Sequence, residues 1–242
     1  MLSVIIPAYN EGEHVRENLI KIAAVLEGAG IDFELVPVND GSPDNTGDEI
    51  AKAAEGDPRI RPVSYEKNRG KGGAIKEGIA HAEGEVIGFI DADLDISPDH
   101  LLTYWNAMNE QHADVVIGSK MHKDSKLDYP PARKLFSLGY FVLLKILFGL
   151  KLKDTQTGIK LYKADLIKGI VPKLKVKGYA FDIEILALAA QQKAVIIEMP
   201  VEVNYTRAES FSRIRVSDIV KMFTDTIAIW WNIKVVKKYN QK

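Results

Sequence analysis

Five consecutive residues, Asp91-Ala92-Asp93-Leu94-Asp95, place carboxylates at three alternate positions of one short stretch. Like charges crowded in this way are unfavourable unless a cation offsets them. A hard divalent ion does so, and Mg2+ or Mn2+ held by one or two carboxylates normally completes its shell with substrate phosphate oxygens. The same residues also suit a solvated acidic turn ahead of the helix opened by Ser97-Pro98-Asp99. Position is informative here. Glu85-Val86-Ile87-Gly88-Phe89-Ile90 is an apolar, β-branched run that reads as a buried strand. The acidic stretch thus falls at a strand's C-terminal end, where open α/β sheets receive their ligands.

Three further clusters follow three earlier strands. Pro7-Ala8-Tyr9-Asn10-Glu11 comes after the first, with Asn10 suited to cap the next helix and Tyr9 to face the crevice. Asn39-Asp40-Gly41-Ser42 comes after the second, where Gly41 allows a tight turn and Asn39 and Asp40 suit a base or ribose edge. Asn68-Arg69-Gly70-Lys71-Gly72-Gly73-Ala74 comes after the third. Its glycines let backbone N–H groups approach an anion at a helix N-terminus, and Arg69 and Lys71 add charge. This is neither a P-loop nor the dinucleotide fingerprint. Each cluster alone passes for an ordinary turn, but four at the ends of four consecutive strands do not.

The elements that must position these residues alternate. Strands are expected at 3–6, 33–39, 60–64, 86–90 and 114–118, and helices near 13–27, 45–54, 72–82 and 98–109. That rhythm gives βαβ units, hence an α/β, Rossmann-like, mainly parallel sheet flanked by helices. After Lys120 it changes: a polar loop to Pro131, a long apolar helix over 135–150, a helix over 181–192, a strand pair at 195–198 and 201–204, and a last helix over 217–236. One domain over 1–242 is expected, its halves meeting near residue 120.

Composition narrows the classes. At 242 residues, 46% hydrophobic and 27% charged, the chain is an ordinary globular size and make-up. A formal charge of −1 argues against nucleic-acid binding. The absence of cysteine excludes disulfides and thiolate metal sites and suits a reducing cytoplasm. The first residues enter a strand without a basic n-region or cleavage signal, so a cytoplasmic chain is expected.

The motifs together are similar to an ordered signature. Ile5-Ile6-Pro7-Ala8-Tyr9-Asn10-Glu11, Val38-Asn39-Asp40-Gly41-Ser42, the 68–74 loop and Asp91-Ala92-Asp93 resemble those of family 2 glycosyltransferases, which have a GT-A fold. Asp154-Thr155-Gln156-Thr157-Gly158-Ile159-Lys160-Leu161-Tyr162 and Tyr179-Ala180-Phe181-Asp182-Ile183-Glu184 narrow the resemblance to polyprenyl-phosphate hexosyltransferases. The branch resembled is that of dolichyl-phosphate β-glucosyltransferases, with dolichyl-phosphate mannose synthases nearby.

The resemblance implies inverting transfer of a hexose from a nucleotide sugar, UDP-glucose or GDP-mannose, to a polyprenyl or dolichyl phosphate. Residues 1–120 would bind the nucleotide sugar, through Pro7, Tyr9, Glu11, Asn39, Asp40, Lys71, Asp91, Ala92 and Asp93. Asp91, Asp93 and Asp95 would hold Mg2+ or Mn2+, although mannose synthases often have Gln at the position of Asp95. Asn39 departs from the commoner Asp. Residues 121–242 would receive the acceptor, its phosphate held by Lys120, Arg133 and Ser137, while Arg207 and Arg213 close over the donor diphosphate. Lys120 replaces a frequent Arg, giving a point charge in place of a bidentate fork. Asp182 is the candidate base, if one is needed. A phosphate acceptor is already largely ionised, with a second pKa near ~6, so its oxygen attacks without a strong base. A sugar-hydroxyl acceptor and a non-catalytic nucleotide-sugar binder are the rival readings.

Attachment to a membrane surface is expected as well. The apolar helix is flanked by Arg133, Lys134, Lys151 and Lys153, and the last helix carries Trp230 and Trp231 beside Lys234, Lys237 and Lys238. Basic edges and tryptophan suit amphipathic helices lying at a headgroup boundary. No apolar run reaches the ~20 residues a spanning helix needs, so the attachment would be peripheral.

Overall fold

The computed structural model describes residues 1–126, 131–176, 178, 180–204, 216–237 and 239, and of 131–137 and 216–220 the backbone alone. A seven-stranded sheet runs through them, its strands side by side in the order Val63–Tyr65, Phe33–Asp40, Leu2–Ala8, Val86–Ile90, Ile159–Lys163, Val115–Ser119 and Ile196–Pro200. The first half matches the expected alternation. Strands β1 (Leu2–Ala8), β2 (Phe33–Asp40), β3 (Val63–Tyr65), β4 (Val86–Ile90) and β5 (Val115–Ser119) alternate with helices α1 (Val15–Gly28), α2 (Thr46–Gly56), α3 (Gly70–His81) and α4 (Asp99–Glu110). The expected third strand is displaced: Ile60 makes only an isolated bridge to Leu35, and pairing with β2 begins at Val63.

Every residue of β2 is buried, as a strand covered on both faces requires. Alternation sorts the core. Val4 and Ile6 of β1 pack with Leu19 and Leu101 on one side, while Ile5 packs with Ile75 and Phe181 on the other. Each such side chain contributes about 1.5–3 kcal/mol by leaving water, which fixes the sheet as a rigid platform.

The second half adds α5 (Pro131–Phe148), β6 (Ile159–Lys163), α6 (Ala164–Ile170), α7 (Phe181–Gln191), β7 (Ile196–Pro200) and α8 (Val216–Lys234). β6 and α6 were not expected. β6 inserts antiparallel between β4 and β5, pairing Ile90 with Ile159 and Val116 with Leu161. The expected hairpin of 195–198 with 201–204 does not form. β7 lies parallel to β5, and Glu202 and Val203 bridge instead to Lys126 and Ile96. Satisfying backbone groups on the sheet's open edge takes precedence over local pairing.

Helix α5 is two-sided: Tyr140 and Leu144 are buried, whereas Leu138, Val142 and Ile146 are exposed. In α8, Ile229 and Ile233 face inward, and Phe223, Ile227 and Trp231 face out. The Tyr140 hydroxyl and Thr226 Oγ1 hydrogen-bond at 2.7 Å and tie the two helices together. No helix among the described residues is long and apolar enough to cross a membrane.

Candidate active site

At the C-terminal edge of the sheet a cavity of about 300 Å³ is lined by Pro7 and Ala8 at the end of β1, Tyr9 and Glu11 just after it, and Asp40 at the end of β2. Lys71 and Ala74 of α3 and Asp91, Ala92 and Asp93 after β4 complete it. The four sequence clusters therefore do converge. Asn39 is not in the lining: its Oδ1 accepts the Ser42 N–H at 3.1 Å and its Nδ2 donates to Ser64 Oγ at 3.1 Å. Asp40 Oδ1 accepts the Tyr65 hydroxyl and the Arg69 N–H, both at 2.7 Å, so β2 fixes the loop that carries Lys71. Gly41 lets that loop close in. Its φ is +65°, and a Cβ there would lie 2.6 Å from the Glu66 carbonyl oxygen. Arg69 is turned away, stacked on Tyr65 and paired with Glu77 at 2.7 Å. Asn10 does not cap α1, which starts at Val15; its backbone is left-handed (φ 56°) and its N–H donates to Ser42 Oγ.

The acidic turn is tightly wound. Leu94 adopts a left-handed φ of 51°, and the Asp95 N–H donates to Asp93 Oδ1 at 3.2 Å. Asn18 of α1 anchors the turn by donating to the Ala92 carbonyl at 2.7 Å. Burial, then the negative charges of Asp91 and Asp95 and of Glu11, push the Asp93 carboxyl up to about 6. Lys71 Nζ sits 2.5 Å from Asp91 Oδ1. Burial would lower this ammonium's pKa, but the charges of Asp91, Asp182 and Asp93 outweigh it and hold the lysine protonated.

This donor set fits a divalent cation of a particular kind. The excess of negative charge around Asp93 is the condition a cation relieves. Among the described residues no three acidic or histidine side chains gather as a ready cage. An ion here would take Asp91 and Asp93 and complete its shell with substrate oxygens, the usual arrangement for Mg2+. Asp95 lies outside the cavity lining.

Because β6 runs antiparallel, its start lies beside the end of β4, and the 154–158 turn reaches the acidic turn. The Asp91 N–H donates to the Gly158 carbonyl at 3.2 Å. A Cβ on Gly158 would stand 2.1 Å from Asp91 Oδ2, so only glycine leaves that carboxylate its place. Asp154 Oδ2 accepts the Lys120 N–H at 3.0 Å and the Thr157 hydroxyl at 2.6 Å. Burial alone would raise the Asp154 pKa; the Lys120 charge and these hydrogen bonds prevail and hold it low. Lys120 is thus held beside the 154–158 turn and is not among the residues lining the cavity.

Asp182, in the first turn of α7, is buried and accepts Lys160 Nζ at 2.7 Å. Lys160 is fully buried, bonds the Thr157 carbonyl at 2.7 Å and lies 5.1 Å from the centre of the Phe89 ring. Sequence reasoning assigned it no role, though a lone cation in the apolar run Ile159–Tyr162 was a signal. Glu184 serves the architecture instead. It accepts the Lys175 and Val176 N–H groups, each at 2.9 Å, and the Tyr239 hydroxyl. Arg133 and Ser137 lie on α5 among residues described by backbone alone, and Tyr179, Arg207 and Arg213 lie outside the described residues.

Fold and site together describe an α/β protein with a polar cavity at the carboxyl ends of parallel strands, beside an acidic turn. The family model described as Glycosyl transferase family 2 matches residues 3–171. A dolichyl-phosphate beta-glucosyltransferase of Trichomonas vaginalis is 32% identical over 238 residues, which cover 93% of this chain and 69% of that protein. The dolichyl-phosphate beta-glucosyltransferase of Saccharomyces cerevisiae is 31% identical over 248 residues, covering 94% and 73%. Among solved structures, glucosyl-3-phosphoglycerate synthase from Mycobacterium tuberculosis in complex with uridine diphosphate aligns with a TM-score of 0.71 at 19% identity, over 96% of this chain and 79% of that one. The same enzyme with Mn2+, UDP-glucose and phosphoglyceric acid aligns with a TM-score of 0.68 at 19% identity, over 96% and 79%. The chain belongs to glycosyl transferase family 2, is a glycosyltransferase and has the GT-A fold.

Proposed function

We propose that the chain moves glucose from UDP-glucose to a polyprenyl (dolichyl) phosphate with inversion at the anomeric carbon. The observation that carries this reading is the acidic turn itself. Asp91 and Asp93 face a nucleotide-sized cavity, with Lys71 alongside, in a chain about a third identical to dolichyl-phosphate beta-glucosyltransferases along most of its length. Pro7, Tyr9, Glu11 and Asp40 line the side given to the nucleoside, with Asn39 behind them. Lys71 is given to the donor diphosphate, and so, by the family resemblance, are Arg207 and Arg213. Mg2+ or Mn2+, when held by Asp91 and Asp93, supplies positive charge against the departing diphosphate, and Asp95 adds to the negative field that attracts it. The fold neighbour from Mycobacterium tuberculosis is a complex with Mn2+ and UDP-glucose, which supports this choice.

Lys120, Arg133 and Ser137 hold the acceptor phosphate. One of its oxygens bonds to the anomeric carbon from the face opposite the diphosphate. The carbon–oxygen bond to UDP breaks, and its electron pair leaves with the β-phosphate. The acceptor oxygen brings no proton to remove, so the chemistry rests on positioning and charge. The exposed apolar residues of α5 and α8 suit a membrane surface, where a lipid acceptor resides. Peripheral attachment at the cytoplasmic face is part of this proposal. Residues 1–242 act as one domain, 1–120 for the donor and 121–242 for the acceptor.

A donor panel tests the reading. Purified chain is given radiolabelled UDP-glucose or GDP-mannose, a short polyprenyl phosphate and Mn2+, and label in the organic phase is counted. Glucose should partition. Label from GDP-mannose alone moves the reading to mannose transfer, and no label from either overturns it.

A further inference from the structure

A fully buried lysine needs a reason. Taking an ammonium and a carboxylate out of water is costly, and replacing such a pair by apolar side chains of similar volume is often neutral or stabilising. Lys160 and Asp182 are both buried and paired at 2.7 Å, so stability alone does not account for them. Their partners indicate another role. Lys160 Nζ also holds the carbonyl of Thr157, the residue before Gly158. The Gly158 carbonyl accepts the Asp91 N–H, and its bare Cα is packed against the Asp91 carboxylate. An unbroken series of contacts therefore runs from α7 through β6 and the 157–158 turn to the cavity wall. Asp182 further acts on Lys71, the lysine paired with Asp91.

We propose that Lys160 is a positioning residue, clamping Asp182 and the Thr157-Gly158 turn so that Asp91 is presented to the donor diphosphate. Asp182 is then the anchor of this clamp and takes no proton during transfer. The inference rests on the function proposed above and adds to it: the buried pair acts mainly on donor affinity. A misplacement of about 1 Å at a reacting group costs on the order of 100-fold in rate, which sets the scale of the effect.

The test uses the double variant Lys160→Met with Asp182→Leu, which fills the space with apolar groups and leaves no unpaired charge. Its kcat/KM for UDP-glucose should fall roughly 100-fold, through a raised donor KM and weakened UDP binding in calorimetry with Mn2+. Its KM for polyprenyl phosphate should change far less, because the clamp reaches Lys120 indirectly, through the Thr157-Asp154 contact. Lys160→Arg, which keeps the charge and the donors, should retain most of the affinity. Gly158→Ala moves Asp91 without touching the pair and should reproduce the donor defect. It decides the matter if the double variant does not fold. Wild-type donor affinity in the double variant, or in Gly158→Ala when the double variant is unfolded, overturns the inference, as does an equal loss toward donor and acceptor. A wild-type chain that neither binds UDP with Mn2+ nor transfers glucose defeats the proposed function instead.

Discussion

Replacing Asp93 with asparagine should stabilise the metal-free protein, and by an amount that depends on pH. Burial and the neighbouring carboxylates raise the Asp93 pKa from its ordinary 3.8 to about 6. That rise corresponds to a penalty of about 3 kcal/mol on the charged form. The folded-state value lies above the unfolded one, so between about pH 4 and 6 the native chain holds the extra proton. Stability therefore falls as pH rises through that window; the penalty is absent below it and complete above it. Asparagine carries no charge, and its Oδ1 still accepts the Asp95 N–H. For a chain of this size each kcal/mol moves the melting temperature by roughly 2–4 °C. In EDTA the variant should melt roughly 6–12 °C above wild type at pH 8 and close to it near pH 4. Scanning calorimetry at both pH values measures this. An equal gain at the two values, or a loss at pH 8, refutes the electrostatic reasoning.

Three other outcomes are expected. Lys71→Met removes the cation beside Asp91, and a charged hydrogen bond worth about 1.5–3 kcal/mol implies a loss in donor kcat/KM of roughly 10- to 150-fold; steady-state kinetics would show it. Glu184→Ala removes the acceptor of the part-buried Lys175 and Val176 N–H groups and of the Tyr239 hydroxyl and should lower stability by about 1–3 kcal/mol in urea unfolding. The wild-type chain should float with anionic liposomes at low salt. Ile146→Asp with Trp231→Asp, which charges the outward faces of α5 and α8, should leave it in the soluble fraction.

Three of the four clusters facing the cavity were legible because each follows a strand with a clear apolar run, and parallel strands deliver their C-terminal ends to one edge. The cluster at 68–74 follows a short strand, Val63–Tyr65, whose start was misplaced because Arg61 and Pro62 break its apolar pattern. β6 was not. Lys160 interrupts its apolar pattern, and pairing direction is a tertiary property that no local period encodes. The antiparallel insertion is what brings Gly158 to Asp91, so that contact was unreadable too. Asp182 and Glu184 look alike in sequence, two acids in the first turn of one helix. Packing separates them: one meets the buried Lys160, the other the backbone of Lys175 and Val176. Asn10 has a good capping side chain, but the helix starts too far downstream for it to serve.

The central claim is that the acidic turn grips a nucleoside diphosphate through a divalent cation. Calorimetric titration of wild-type chain with UDP, in Mn2+ and then in EDTA, tests it most directly. Binding should appear with the ion and vanish in EDTA, and Asp91→Ala should abolish it in Mn2+. Equal affinity with and without the ion, or undiminished binding by Asp91→Ala, would contradict the account.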